Sequence, residues 1–236
     1  MARIDKSKLT KLEIVRVASR KFLEKGYSNT TIKSISDELE MSTGNLTFHF
    51  PTKEHLLAEL VEMLRSFQWR LIEREADEGV SSLLSICIEL MTVASACEES
   101  EIAKDFFLST YSSPICLGYI RKSAVERAKI IFADFCEGWT DEQYIEAEIL
   151  ISGINYATLM TTEISVPLET RIKGALNHIM MIYNVPEKLR NEKIKKVLSI
   201  DCRQLGRRVF EEFVKYVDEC AEKALEDILH RRKVET

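Results

Sequence analysis

A chain of 236 residues, 45% hydrophobic and 30% charged, is long enough to bury a core without disulfides or metals and shows no bias toward disorder. Eight glycines and four prolines are too few for the turns of an all-β fold; six cysteines without a CxxC pair and four histidines without HExxH spacing give no metal site and fit reduced cytosolic thiols. The net charge of −5 is unevenly spread: residues 1–36 carry nine Lys or Arg against three acids, a net +6, leaving −11 for the remainder, as suits a head that meets a polyanion.

The first predicted helix runs from Ser7 to Lys25, with Ile14, Val17, Ala18 and Phe22 as its apolar stripe and Gly26 as its left-handed stop. A short second helix comes next, from Thr31 to Leu39, capped by Thr30 or Thr31, with Ile32, Ile35 and Leu39 on one face. Ser42 caps a third, very short helix through Phe48 or His49. Pro51 ends it, and Thr52 caps a long fourth helix to about Asp77. Segments 80–96 and 100–112 are helical by the same periodicity, and Ser113-Pro114 opens a helix to about Glu137, stopped by Gly138. Thr140-x-x-Gln143 is a capping box for a helix to about Glu163, and another spans 168–184. After Pro186, Leu189 to Arg231 is helical with a break near Ser199–Asp201, its apolar positions including Leu205, Val209, Phe213, Val217 and Ala224.

No sustained apolar/polar alternation interrupts this series, so the expected fold is all-α. It divides at residue 52 into an N-terminal three-helix head, 1–52, and a helical body, 53–236, joined by the connecting helix 53–77. MARIDKSKL lacks the apolar run of a signal peptide, and no stretch approaches the ~18 apolar residues of a membrane span. A cytoplasmic protein with no membrane contact is expected.

Residues 31–48 hold two short helices separated by the turn Glu40-Met41-Ser42, the spacing of a helix-turn-helix. Ile32, Ile35, Leu39, Leu46 and Phe50 pack inward with the first helix. Thr43, Gly44, Asn45, Thr47, Phe48 and His49 remain for the outer face, with no acid among them, which suits a phosphate-rich surface.

Ile14-x3-Ala18-x3-Phe22, Glu24-Lys25-Gly26-Tyr27, Thr30-Thr31-Ile32-Lys33-Ser34-Ile35, Met41-Ser42-Thr43-Gly44-Asn45-Leu46 and Phe48-His49-Phe50-Pro51-Thr52-Lys53-Glu54-His55-Leu56-Leu57 together resemble the start of the tetracycline-repressor (TetR) family. The resemblance covers about 45 residues and does not extend into 80–236. It implies that Thr31 and Lys33 contact phosphates and that Thr43, Gly44 and Asn45 begin the recognition helix. It further implies that Phe48 packs on a thymine methyl and that His49 and Lys53 hold backbone phosphates. Thr47, where the family usually has tyrosine, and Glu40, where glycine is common, depart from the pattern; a left-handed Glu40 costs on the order of 1 kcal/mol.

The resemblance also implies a repressor that binds double-stranded DNA as a homodimer, on a palindromic operator, and is released by a small apolar or amphipathic effector. The dimer surface is expected on 141–163 and 168–184 through Tyr144, Ile151, Ile154, Leu159, Ile172, Leu176, Ile179 and Tyr183, the alternative being that these residues are buried within one subunit. An effector pocket is expected among Met91, Phe106, Phe107, Tyr111, Cys116, Trp139 and His178. No cofactor and no metal are expected. No nucleophile elbow, phosphate loop or dinucleotide fingerprint points to an enzyme. A regulator without a small-molecule effector, answering to a protein partner, stays open, with a sealed core as its mark. So does the basic stretch Lys188, Arg190, Lys193, Lys195, Lys196, Arg203, Arg207 and Arg208, either a solvated face or a second nucleic-acid contact, in an extension that could instead cover the dimer or the pocket.

Overall fold

The computed structural model describes residues 6–75 and 82–234, and these are helical throughout apart from turns. The head comprises α1 (Lys6–Lys25), α2 (Ile32–Glu38) and α3 (Thr43–His49). The connecting helix α4 (Lys53–Glu75) leads into α5 (Ser82–Glu99), α6 (Glu101–Ser112) and α7 (Pro114–Ile131). After a 3-10 turn, Ala133–Phe135, come α8 (Asp141–Leu159), α9 (Leu168–Ile182), α10 (Glu187–Leu198) and α11 (Cys202–Val234). Asp77, the expected end of the fourth helix, and the side chains of Leu205 and Ala224 lie outside the described residues. Among the described residues no helix is long and apolar enough to cross a membrane.

Helix α5 is the central pillar. Thirteen of its eighteen residues are buried, an all-round burial expected of a helix enclosed by others. Its neighbours are α4, α6, α8, α9, α10 and α11. Gly206 sets the closest crossing: a Cβ there would lie 2.9 Å from the Thr92 carbonyl oxygen and 3.0 Å from the Ala96 nitrogen, so only glycine lets α11 approach α5.

The long last helix also reaches the head. Phe213 and Tyr216 lie against Phe67 of α4, with ring centroids 5.7 and 5.1 Å away. Farther along, Asp218 pairs with Arg16 and Arg20 of α1, and Glu222 with Arg16. α11 therefore runs as a strap from body to head. The basic stretch around its start is largely taken up locally. Arg203 and Arg207 pair with Glu99, Arg208 with Glu212, and Arg190 bonds Asn177 and the Val185 carbonyl.

Three helices, α7, α8 and α9, stop short of the expected ends. α7 stops at Ile131, short of Glu137, because Phe132 turns into the core to stack on Tyr183 at 3.9 Å and the Cys136 thiol donates to the Tyr183 carbonyl. α8 ends at Leu159, short of Glu163, where Met160 is extended and the Ser165 hydroxyl closes a turn by accepting from the Thr162 N–H. α9 ends at Ile182, and Asn184 takes the left-handed conformation at φ 56°, which asparagine tolerates better than most residues.

The residues expected at the dimer surface are instead the subunit core. Tyr144, Ile151, Leu159, Ile172, Leu176, Ile179 and Tyr183 are buried, and Ile154 is half-buried. The opposite face of α8 carries exposed Ile145, Ile149 and Leu150, with Met160 just past its end and Met181 on α9. Both faces of α8 are apolar, so its pattern names no inward side.

Candidate DNA-reading head and internal cavity

The head is built on Ile14, Ala18, Phe22, Ile35, Leu46 and Phe50, all buried. Thr31 caps α2: its hydroxyl accepts from the Ser34 N–H at 3.0 Å, and the Ser34 hydroxyl oxygen accepts in return from the Thr31 N–H. Ser42 caps α3 by accepting from the Asn45 N–H at 3.2 Å. The turn between them needs Glu40 at φ 51°, the left-handed conformation expected there.

On α3 only Leu46 is buried. Thr43, Gly44 and Asn45 are exposed, and nothing lies within 4 Å of a Cβ built on Gly44. Phe48 is 80% exposed, its ring touching that of His49 edge to face at 5.3 Å. Thr47 turns its hydroxyl back onto the Thr43 and Gly44 carbonyls at 3.0 and 3.2 Å. His49 is half-buried beside Phe48, its Nδ1 buried and without a partner.

Two of the basic groups expected on phosphates have partners inside the subunit. Lys33 pairs with Asp37 at 2.9 Å, exposed and one turn away. Lys53 donates to the Tyr27 and Thr30 carbonyls at 3.0 and 2.9 Å and lies 4.0 Å over the Tyr27 ring, and burial pulls its pKa down. It clamps the start of α4 to the α1–α2 turn, a role that sequence spacing does not reveal. Four of the head's nine basic residues, Arg16, Arg20, Lys21 and Lys33, are neutralised by acids of α2 or α11, so its free positive charge is smaller than composition indicates.

Inside the body, α4, α5, α6, α7, α8 and α9 enclose a cavity of about 130 Å³. Of the expected pocket residues, Phe106, Phe107 and Tyr111 line it. Met91 and Cys116 are buried elsewhere, the Cys116 thiol against the Glu54 carbonyl, while Trp139 packs on Tyr144 and His178 is exposed. These four do not line the cavity, and neither does any methionine. Helical period identifies their apolar faces but not the helix against which each face packs.

The polar end of the cavity was not foreseen. Arg65, Glu89, Arg127, Glu148, Asn155 and Tyr183 all line it. Arg127 donates to Glu89 at 2.9 Å. Burial alone would raise the Glu89 pKa, but Arg127 and Arg65 outweigh it and hold the carboxyl below its ordinary value. Glu148 is pushed up by burial, only partly offset by the hydrogen bond it accepts from Tyr183. Burial also lifts Tyr111 to about 12. Arg65 donates from Nη1 to the Ile120 carbonyl at 2.7 Å, while its Nη2 is buried without a hydrogen-bond partner, as is Asn155 Oδ1. The signal in the sequence was slight: isolated charges, Arg65 and Glu89, within otherwise apolar helical runs.

Residues 14–60 match the family described as bacterial regulatory proteins, tetR family. The HTH-type transcriptional regulator QacR of Staphylococcus aureus (strain Mu50 / ATCC 700699) is 40% identical over 58 residues, which are 25% of this chain and 30% of QacR. The similarity thus spans under a third of that relative. Among solved structures, full-length TylP, a TetR regulator from Streptomyces fradiae, is 19% identical with a TM-score of 0.48, covering 89% of this chain and 99% of its own. The TetR family protein CprB from S. coelicolor A3(2) is 19% identical with a TM-score of 0.43, covering 86% and 98%. The head is a TetR-family helix-turn-helix.

Proposed function

We infer that this TetR-family chain is a sequence-specific DNA-binding regulator, a repressor that sits on a palindromic operator as a homodimer and leaves it when a small molecule fills the cavity. The observation that carries the reading is α3 itself: a capped helix that buries Leu46 and presents Thr43, Gly44, Asn45 and Phe48 to solvent. Such a helix fits a major groove ~12 Å wide and reads it from its N-terminal end. Thr31, at the N-terminus of α2, suits a phosphate.

Seven residues span too few base pairs for specificity, so two copies are needed, about one or more helical turns apart. The exposed Ile145, Ile149 and Leu150 of α8, with Met160 just past its end and Met181 of α9, supply an apolar face for a self-complementary contact with a second copy. Regulation by a ligand is favoured over a sealed, effector-free body by the cavity and by the course of α4. Val61, Leu64 and Arg65 line the cavity, and about 18 Å back along the same helix Lys53 grips the head. A ligand that prefers one position of α4 therefore shifts the head with it.

The test is selection from random duplex DNA by the full chain, with affinity tracked against salt. A palindrome, lost when Asn45 is changed to Ala, is the expected result. Salt-sensitive binding with no selected sequence would remove the specific reading.

A further inference from the structure

Arg65 and Asn155 line the cavity and each keeps a buried polar atom without a hydrogen-bond partner, and of the two Arg65 carries the charge. Glu89 is engaged by Arg127, and Glu148 receives the Tyr183 hydroxyl. Arg65 has one carbonyl partner, from Ile120, and a second guanidinium nitrogen that is buried and unbonded. Arg127 and Arg65 hold the Glu89 carboxyl below its ordinary value, whereas burial raises that of Glu148, so Glu148 balances the two guanidinium groups less strongly than Glu89 does. A buried cation in that state is stabilised most by an anion able to accept from the guanidinium fork. The rest of the lining is apolar, including Leu64, Phe106, Phe107, Ile120 and Phe132. The space, about 130 Å³, is near that of an engineered cavity of ~150 Å³ that takes up benzene.

We propose that the cavity receives a small monocarboxylate with an apolar body about one aromatic ring in size, its carboxylate bonded to Arg65. Because Arg65 is an α4 residue that also holds α7 through the Ile120 carbonyl, the incoming carboxylate bonds the same group that ties the connecting helix to the body. This regulatory step rests on the repressor reading above; the binding itself does not. A cationic ligand would meet two guanidinium groups and two carboxyl groups already bonded. A neutral one would leave the buried Arg65 Nη2 without a charged acceptor.

Calorimetric titration of the full chain, without DNA, with benzoate, benzamide, benzyl alcohol and benzamidine tests this. Benzoate should bind at least about tenfold more tightly than the other three, as expected for one charge-assisted bond. Arg65→Met should weaken benzoate by about tenfold or more and leave benzyl alcohol nearly unchanged, with Arg65→Lys between. Equal or tighter binding of benzamidine or benzyl alcohol, no binding of benzoate, or an Arg65→Met variant that holds benzoate like the parent would each overturn the proposal. Should the methionine variant fail to fold, the ranking of the four probes on the parent chain decides. Since no DNA is present, failure here leaves the reading of α3 intact, and failure to select a duplex leaves this result intact.

Discussion

On α3, Thr43, Gly44, Asn45 and Phe48 stand in solvent, and the local N–H groups are capped by Ser42 and Thr31. In the cavity, Arg65, Glu89, Arg127 and Glu148 are enclosed by apolar side chains, and Arg65 keeps one nitrogen unbonded. The two regions solve different problems. A surface for a hydrated polyanion is already satisfied by water and needs only the right shape and a lack of negative charge. A small ligand offers few contacts, so a site for it gains most from a desolvated charge whose bonding is left unfinished until binding. α4 joins the two, and α11 restrains their relation through Arg16, Arg20 and Gly206.

Four substitutions break or sharpen that contrast. Leu46→Ala removes the one buried side chain of α3 and should destabilise the head by about 2–5 kcal/mol, read by chemical denaturation together with loss of DNA selection. A loss below ~1 kcal/mol would mean that α3 is held by something other than its core contact. Gly206→Ala forces a methyl group against backbone atoms 2.9 and 3.0 Å away and should cost on the order of 1–3 kcal/mol, with the cavity lining untouched. An unchanged denaturation midpoint would show that the α5–α11 crossing has room. Glu40→Gly relieves the left-handed strain at φ 51° and should stabilise the chain by up to about 1 kcal/mol in the same assay, while removing a negative charge beside the reading helix. A destabilised variant would contradict the strain.

The smallest effect is a slope. Burial raises the Glu148 carboxyl above its ordinary 4.5, so the native state keeps its proton where the unfolded chain has lost it. That contribution is complete below pH 4.5 and is lost as pH rises through the raised native value. Glu148→Gln should therefore flatten the decline in urea midpoint as pH increases from 4.5 toward neutrality. An identical profile for parent and variant would place Glu148 in an ordinary solvated state.

The head was legible because its information is contiguous. Gly26, Thr31, Ser42 and Pro51 mark its joints within a few residues of what they shape, and Glu40 announces its own strain. All-α architecture emerged from the same local signals. The cavity was not legible in that way. Its lining comes from six helices spread over residues 61–183, and whether Phe106 or Met91 faces it depends on packing partners far apart in sequence. Lys53 escaped for a related reason, since its two carbonyl partners, Tyr27 and Thr30, belong to a turn more than twenty residues earlier. On α8 the difficulty was different: Ile145, Ile149 and Leu150 on one side and Tyr144, Ile151 and Ala147 on the other make two apolar faces, and only the packed fold chooses between them.

The most direct measurement is the coupling between the two regions. Affinity of the full chain for its selected duplex should be measured with and without saturating benzoate, and benzoate affinity with and without that duplex. The expected result is that each weakens the other by the same factor. Benzoate that binds in the cavity and leaves duplex affinity unchanged would contradict a head governed by its body.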